Sequence, residues 1–260
     1  MERMPEIGGC TERLRFSIVV PFYNEDSNAA PLIREIRAVT ATWSDPYEAI
    51  LIDDGSTDYT AAAIRNELVR WSEARLLQLS ENYGQAAALY LGMQAARGDY
   101  VILLDGDGQN DPHDIPHLLK ALDEADLVVG VRSDRQDSPP RLIVSRIGNA
   151  VRSRLLGDGI KDSGCGLKAF RREVVNAFIP IRTLYSFMPA LAISAGYKVT
   201  QLPVRHRPRK SGKSKYGIRV FAWRPIVDLL GVCWFCRRRS PNPLAKTAKM
   251  NGKMPKLPDA

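Results

Sequence analysis

Short apolar runs alternate with amphipathic stretches through the first half of the chain. Phe16-Ser-Ile-Val-Val20 is rich in β-branched residues and stops at Pro21, which predicts a buried strand. Helical spacing follows from about Ala30 to Thr42, then a second strand, Glu48 to Asp53, ends at Gly55-Ser56. Thr57 or Asp58 can cap the next helix, about Tyr59 to Ser72. Arg75 to Leu79 reads as a third strand, Gly84 to Arg97 as a helix of small residues, and Tyr100 to Leu104 as a fourth strand running into Asp105. Pro112 and Asp114 open a helix to about Ala125, and Asp126 to Val131 is a fifth strand. This rhythm predicts an α/β fold, a mostly parallel sheet with helices on both faces. Right-handed crossovers then put the ligand crevice at the carboxyl ends of the strands.

Those ends are where the polar residues fall. The first strand leads into Pro21-Phe-Tyr-Asn-Glu25, the second into Asp53-Asp54-Gly-Ser-Thr-Asp58, the fourth into Asp105-Gly-Asp107-Gly-Gln109. Like charges gathered at one edge repel, so a metal ion or a polyol ligand is needed to make sense of them. Asp-x-Asp sets two hard oxygen ligands on one turn and suits Mg2+ or Mn2+ bound together with substrate phosphates. Asp58, Asp111 and Asp114 read instead as caps or turn residues. Neither Gly-x-Gly-x-x-Gly nor Gly-x-x-x-x-Gly-Lys occurs at the strand ends, so dinucleotide and P-loop readings lose support.

Composition is that of a globular chain: 260 residues, 45% hydrophobic, 25% charged. Charge is uneven. Residues 201–260 hold 15 bases against Asp228 and Asp259, a net +13, while residues 1–200 carry 22 bases and 27 acids. A basic end of this kind favours nucleic acid, anionic lipid or a phosphorylated substrate. Residues 240–260, dominated by Pro, Lys and Asn, read as a disordered tail. Met1 to Arg15 is polar and does not read as a signal peptide, and the four cysteines (10, 165, 233, 236) make no secreted disulfide framework, so the expected compartment is the cytoplasm.

The strings Val20-Pro-Phe-Tyr-Asn-Glu25, Ile52-Asp-Asp-Gly-Ser-Thr-Asp58 and Leu104-Asp-Gly-Asp-Gly-Gln109 resemble the inverting family 2 glycosyltransferases of GT-A fold. Within them the likeness is to the dolichol-phosphate mannosyltransferase group, which includes bacterial polyprenyl-phosphate sugar transferases. It covers about residues 14–220. Asp162-Ser-Gly-Cys-Gly-Leu-Lys-Ala-Phe-Arg171 resembles that group's acceptor loop, and Gly212-Lys-Ser-Lys-Tyr216 its basic signature. The resemblance implies that Pro21, Tyr23, Glu25, Ile52 and Asp54 hold the nucleoside. It implies that Asp105, Gly106, Asp107 and Gln109 serve ribose, diphosphate and metal, the metal ligands being Asp105, Asp107 and Gln109. Arg132, Arg209 and Lys215 would meet phosphate, with Arg141 and Ser145 as further phosphate contacts. Two positions depart from the group: Lys168 stands where an Arg is usual, a point charge in place of a planar fork, and Gly108 replaces an apolar residue, which would loosen the metal loop.

A phosphate acceptor agrees with the chemistry. A sugar hydroxyl wants a carboxylate base, whereas a phosphate monoester, with a second pKa near about 6, is already mostly dianionic at neutral pH. It needs cations and positioning, for which Arg132, Lys168, Arg209 and Lys215 are suitable. Gln-x-x-Arg-Trp, usual in polysaccharide-elongating synthases, is missing. Ile218 to Cys236, with 14 apolar residues of 19, is broken by Pro225 and flanked by Lys210, Lys213, Lys215 and Arg237-Arg-Arg239. This predicts a pair of amphipathic interfacial helices on an anionic membrane; a core helix or an oligomer face is the competing reading. Cys233-x-x-Cys236 lacks a redox-motif context, His113 and His117 lack a third ligand, and Cys165 reads as packing.

The expected organisation is an extension (1–14), a catalytic domain (15–205), an interfacial segment (206–239) and a tail (240–260). The expected activity is transfer of a sugar from a GDP- or UDP-hexose to a polyprenyl phosphate, by metal-dependent single displacement, at the cytoplasmic face of a membrane. No nucleic-acid partner is expected and a homo-oligomer is allowed. The rival readings are a family 2 enzyme with a hydroxyl acceptor, a nucleotidyltransferase, and a nucleic-acid binder using the basic end.

Overall fold

The computed structural model describes residues 13–133, 139–208 and 224–240. The elements run β1 (Phe16–Phe22), α1 (Asp26–Thr40), β2 (Tyr47–Asp53), α2 (Thr60–Leu68), β3 (Ala74–Gln78), α3 (Gln85–Ala95), β4 (Tyr100–Leu103), α4 (Ile115–Ala121), β5 (Leu127–Arg132), α5 (Pro139–Leu156), β6 (Lys168–Arg171), α6 (Leu184–Ser194), β7 (Val199–Val204) and α7 (Arg224–Arg238). Short 3-10 turns lead into α4 (Pro112–Asp114) and follow β6 (Arg172–Ala177). The strands form one sheet of seven, in the order β3-β2-β1-β4-β6-β5-β7. All neighbours are parallel except β6, which runs antiparallel to both β4 and β5.

The central strands are near-continuous apolar runs because both their faces are covered. Successive residues feed opposite cores: Val19, Ile50, Ile52, Leu103 and Val129 point to α3 and α6, while Ile18, Val20, Leu51, Ile102 and Val128 point to α1, α2 and α4. Helix α3 lies close on the sheet because Gly92 faces it. A Cβ there would fall 2.4 Å from Val19 Cγ1 and 2.6 Å from Ile52 Cδ1.

The five expected strands are present within a residue or two. Helix α1 starts earlier than its apolar spacing suggests: Glu25 O accepts from the N–H groups of Asn28 and Ala29, and Pro31 is carried inside the helix. The helix expected over 112–125 is a 3-10 turn and a shorter α4.

The larger departures lie after residue 132. Lys168–Arg171, expected as loop, is an inserted strand. Helix α5 does not return to the amino edge of the sheet. Its last turns stay tied to the loop before β6, through Arg152–Asp158 (2.7 Å) and Asn149–Ser163 (2.9 Å). The next strand therefore starts from the carboxyl edge and runs backwards.

Of the stretch expected as a pair of interfacial helices, the residues before Arg224 lie outside the described residues; the described part is one helix, α7, docked on α6 and α5. Thr183 Oγ1 donates to Asp228 Oδ2 (2.6 Å), Val232 joins the core, and Arg239 donates to the carbonyls of Ala177 and Leu191. No helix among the described residues is long and apolar enough to cross a membrane.

Because Gly92 lets α3 touch the sheet, Gly92→Val should lower unfolding free energy by about 1–3 kcal/mol through overpacking, read as a shift in the urea midpoint at unchanged slope.

Candidate active site

The carboxyl ends of β1 and β2 are stitched to each other by the loops that follow them. The parallel register pairs Pro21 with Ile52 and Phe22 with Asp53. Beyond it, the Asn24 N–H donates to Ser56 Oγ (2.9 Å) and the Thr57 N–H to Asn24 Oδ1 (2.8 Å). Glu25 is buried and accepts from Asn28 Nδ2 (2.6 Å), while its own N–H donates to Thr60 Oγ1 (2.8 Å). Pro21, Tyr23, Glu25, Ile52 and Asp54 are thus one neighbourhood, as the sequence predicts. Asp58 works as a cap, accepting from the Thr60 N–H (2.9 Å).

The two aspartates that end β2 have separate jobs. Asp54 is buried and accepts from the N–H groups of Tyr83 and Gly84 (both 2.9 Å) and from Asn82 Nδ2 (3.0 Å). Burial pushes its carboxyl up, while those N–H groups pull against the shift. It fixes the loop after β3 as the wall of the pocket. Asp53 is fully buried, and its Oδ2 has no partner among the described residues.

Asp105 follows β4 and is the centre of the site. Gln85 Nε2, in the first turn of α3, donates to its Oδ1 (2.7 Å). Gly166 closes over the other side; a Cβ there would fall 2.0 Å from Asp105 Oδ2. Burial, and then the charge of Asp107, push the Asp105 carboxyl up to about 6, against Lys168 and Arg132. Two carboxylates one residue apart, one of them held against its charge by its neighbour, are a site that gains from a divalent cation. No cluster of three or more His, Cys, Asp or Glu forms a closed metal cage among the described residues. Asp105 and Asp107 are hard oxygen donors of the kind that suits Mg2+ or Mn2+ bound together with phosphate. Gly106 lies between them, and Gly108 has φ +72, a left-handed turn that glycine occupies without strain.

Gln109, expected as a third metal ligand, has its side-chain nitrogen 3.5 Å from Arg207 O, and its backbone carbonyl accepts from the Arg207 N–H (2.8 Å). It joins a latch between the loop after β4 and the chain leaving β7. In that latch Arg207 bridges Glu35 (2.5 Å) and Asp111 (2.8 Å), Asp114 Oδ2 accepts from the Arg205 N–H (2.6 Å), and Asn110 pairs with His206. Asp111 and Asp114 are structural, as predicted. Against burial, the N–H and ring of His113 and the Arg207 guanidinium hold the Asp111 carboxyl down at about 2.

Antiparallel β6 completes the site. Its first residue, Lys168, pairs with Leu103 on one side and Val129 on the other, beside both Asp105 and Arg132. Lys168 is 1% exposed and its ammonium donates to the Cys165 carbonyl. It is therefore a counter-charge buried among the acids, and not the phosphate contact expected from its motif; burial pulls its pKa down, while Cys165, Asp105 and Asp162 pull it up. Arg132, at the end of β5, is gripped by Asp162: Nε to Oδ2 2.7 Å, NH2 to Oδ1 2.8 Å, with a backbone bond at 3.2 Å. Cys165 is packed away, its thiol pushed up to about 11 by burial. Arg141 and Ser145 fall in α5. Arg209 and Lys215 lie outside the described residues. Gln85, Asp53, Asp162 and Gly166 escaped the sequence reading as individual functional residues. Asp162 and Gly166 lay inside a quoted motif, and Gln85 was flagged only by the glycine before it at the end of a strand and a loop.

The family model described as Glycosyl transferase family 2 matches residues 17–178, from β1 past β6 and over more than half of the chain. The chain belongs to glycosyl transferase family 2. The dodecaprenyl-phosphate galacturonate synthase of Rhizobium johnstonii is 37% identical to this glycosyltransferase over 236 residues, covering 88% of this chain and 69% of that protein. The undecaprenyl-phosphate 4-deoxy-4-formamido-L-arabinose transferase of Edwardsiella ictaluri is 39% identical over 204 residues, covering 78% of this chain but only 63% of that protein. Among solved structures, the glucosyl-3-phosphoglycerate synthase of Mycobacterium tuberculosis, in complex with Mn2+, UDP-glucose and phosphoglyceric acid, superposes with a TM-score of 0.65 at 22% identity, over 85% of this chain and 80% of that one. At that identity the likeness is one of fold, the GT-A-like sheet.

Two predictions follow from the geometry. Gly166→Ala should displace Asp105 and lower sugar transfer by about 10-fold or more, the scale of a 1 Å misplacement at a reacting centre, with the thermal midpoint as control. Asp111 has a folded pKa below its ordinary about 3.9, so its share of stability is complete above pH about 4 and lost as pH falls through about 2. The stability gap between wild type and Asp111→Asn, from urea unfolding at stepped pH, should close over that window.

Proposed function

We propose that this glycosyltransferase moves a hexose-type sugar from a nucleoside diphosphate to the phosphate of a polyprenyl phosphate, with inversion, at the cytoplasmic face of a membrane. The observation that carries this reading is the guanidinium of Arg132, gripped by Asp162 and set beside the Asp105 site. A fixed, planar cation next to an acidic donor site is what a phosphate nucleophile needs. Two relatives support it, since both are named as enzymes of polyprenyl phosphates. The fold neighbour crystallised with Mn2+ and UDP-glucose supports a nucleotide-sugar donor and a divalent cation.

In this reading Pro21, Tyr23, Glu25, Ile52 and Asp54 hold the nucleoside. Asp105 and Asp107 would hold Mg2+ or Mn2+, which would supply Lewis-acid stabilisation of the leaving diphosphate. Gln85 keeps Asp105 turned toward the diphosphate, and Lys168 offsets the carboxylate charge from within. Arg132 orients the acceptor phosphate, with Asp162 as its positioning residue, and Arg209 and Lys215 bring further positive charge from the segment after the latch. An acceptor oxygen attacks the anomeric carbon in line; the new carbon–oxygen bond forms as the bond to the β-phosphate oxygen breaks, and the nucleoside diphosphate departs with the electron pair. The acceptor is already ionised, so no general base is required.

Purified protein with Mg2+, a short-chain polyprenyl phosphate and a panel of nucleotide sugars should yield a butanol-extractable sugar phosphate. Transfer to a hydroxyl acceptor with no lipid-linked product would overturn the acceptor assignment. Asp107→Ala should lose at least about 100-fold in turnover; full activity in that variant rejects the cation site.

A further inference from the structure

We propose that Arg207 is a positioning residue for the cation site: through the Gln109 backbone it fixes the Asp107 carboxylate, and through Glu35 it ties that loop to α1. The proposal rests on the reading of Asp105 and Asp107 as the cation's ligands. Asp107 has a glycine on either side, so its stretch of chain is loose unless something holds it. On the amino side Gly106 is pressed on the end of β1; a Cβ there would fall 2.4 Å from Pro21 O. On the carboxyl side Gly108 has φ +72, and among the described residues no atom lies within 4 Å of where a Cβ would stand. Packing holds the loop at Gly106 but not at Gly108, so the second hold falls to the next residue.

That residue is Gln109. Its N–H donates to Asp107 Oδ1 (3.1 Å), and its carbonyl accepts from the Arg207 N–H (2.8 Å). One backbone unit thus carries both the orientation of the carboxylate and the tether. The Arg207 guanidinium adds a second anchorage, reaching Asp111 at 2.8 Å and Glu35 at 2.5 Å. Helix α1, which carries Glu35, is packed on the sheet by Leu32, Ile33 and Ile36. The side chains of Arg207, Glu35 and Asp111 are 27%, 30% and 7% exposed, so both pairs are partly shielded from water and stronger than an ordinary surface pair.

The sign of the effect separates this role from a simple field. Arg207 is a cation, and through its charge alone it opposes the binding of a second cation nearby. Acting only by charge, its removal would tighten the site for Mn2+. Acting as the hold on the Asp107 loop, its removal loosens the site, because the carboxylate must then be ordered at the moment of binding.

The experiment titrates the full chain with Mn2+ alone and follows the free ion by electron paramagnetic resonance. Arg207→Gln should weaken Mn2+ binding about 10-fold, the scale on which groups that orient a metal ligand act. Arg207→Lys should recover little of the loss, because a point charge does not bridge two carboxylates as a guanidinium does. Glu35→Gln should weaken binding in the same direction. The double variant should bind no more weakly than Arg207→Gln, since both changes cut one bridge. Gly92→Val, destabilised in the core on the other face of the sheet, should bind Mn2+ like wild type, which sets positioning apart from a general loss of stability. In the transfer assay the deficit of Arg207→Gln should shrink as Mn2+ is raised to saturation. Binding by Arg207→Gln as tight as wild type or tighter, or full recovery by Arg207→Lys, overturns the proposal. If instead Asp107→Ala binds Mn2+ as well as wild type, the cation-site reading falls and this inference falls with it.

Discussion

A half-buried carboxylate beside another carboxylate is the constraint around which the catalytic edge is built. Asp105 is partly withdrawn from water and Asp107 repels its charge, so its proton is held more tightly than usual. The fold answers with three partial compensations: the Gln85 amide from α3, the Lys168 ammonium from β6 and the Arg132 guanidinium from β5. None of them removes the strain. What remains is an arrangement that would be stabilised by a further positive charge.

The same economy governs the acceptor side. Asp162 neutralises part of Arg132 and in return fixes its plane, so the guanidinium is presented in one orientation. Lys168, a flexible point charge, has no such partner to aim it and is instead buried, bonded to the Cys165 carbonyl. Two cations of the same edge thus differ: one is held in a fixed plane by Asp162, the other balances charge within the protein. Helix α5 links this arrangement to the outside, one face bracing the acceptor loop through Asn149 and another carrying an exposed apolar stripe.

The C-terminal helix shows how a single pattern can satisfy two readings. Its apolar residues exceed what a surface helix needs, and both a core helix and an interfacial one were open from sequence. The structure divides them. Val232, Leu229 and Phe235 face α6, and Ile226, Leu230 and Trp234 face outward. Pro225 lies in the first turn of the described helix, and the residues before Arg224, on the other side of the expected break, lie outside the described residues.

Local sequence settled the five parallel strands, their helices, the acidic edge and the Asp105–Asp107 pair, because alternation, turn residues and short motif spacings are properties of neighbouring residues. It also settled Asp58 and Asp111 as caps and Cys165 as packing. It did not settle anything that depends on which strand lies beside which. That β6 enters backwards between β4 and β5, that Lys168 is consequently buried next to Asp105, that Asp162 grips Arg132 from 30 residues away, and that Gln109 turns toward Arg207 are all contacts between distant segments. No periodicity encodes them, because a residue's burial and partners at this edge follow from the order and direction of strands in the sheet and not from the residues beside it in the chain.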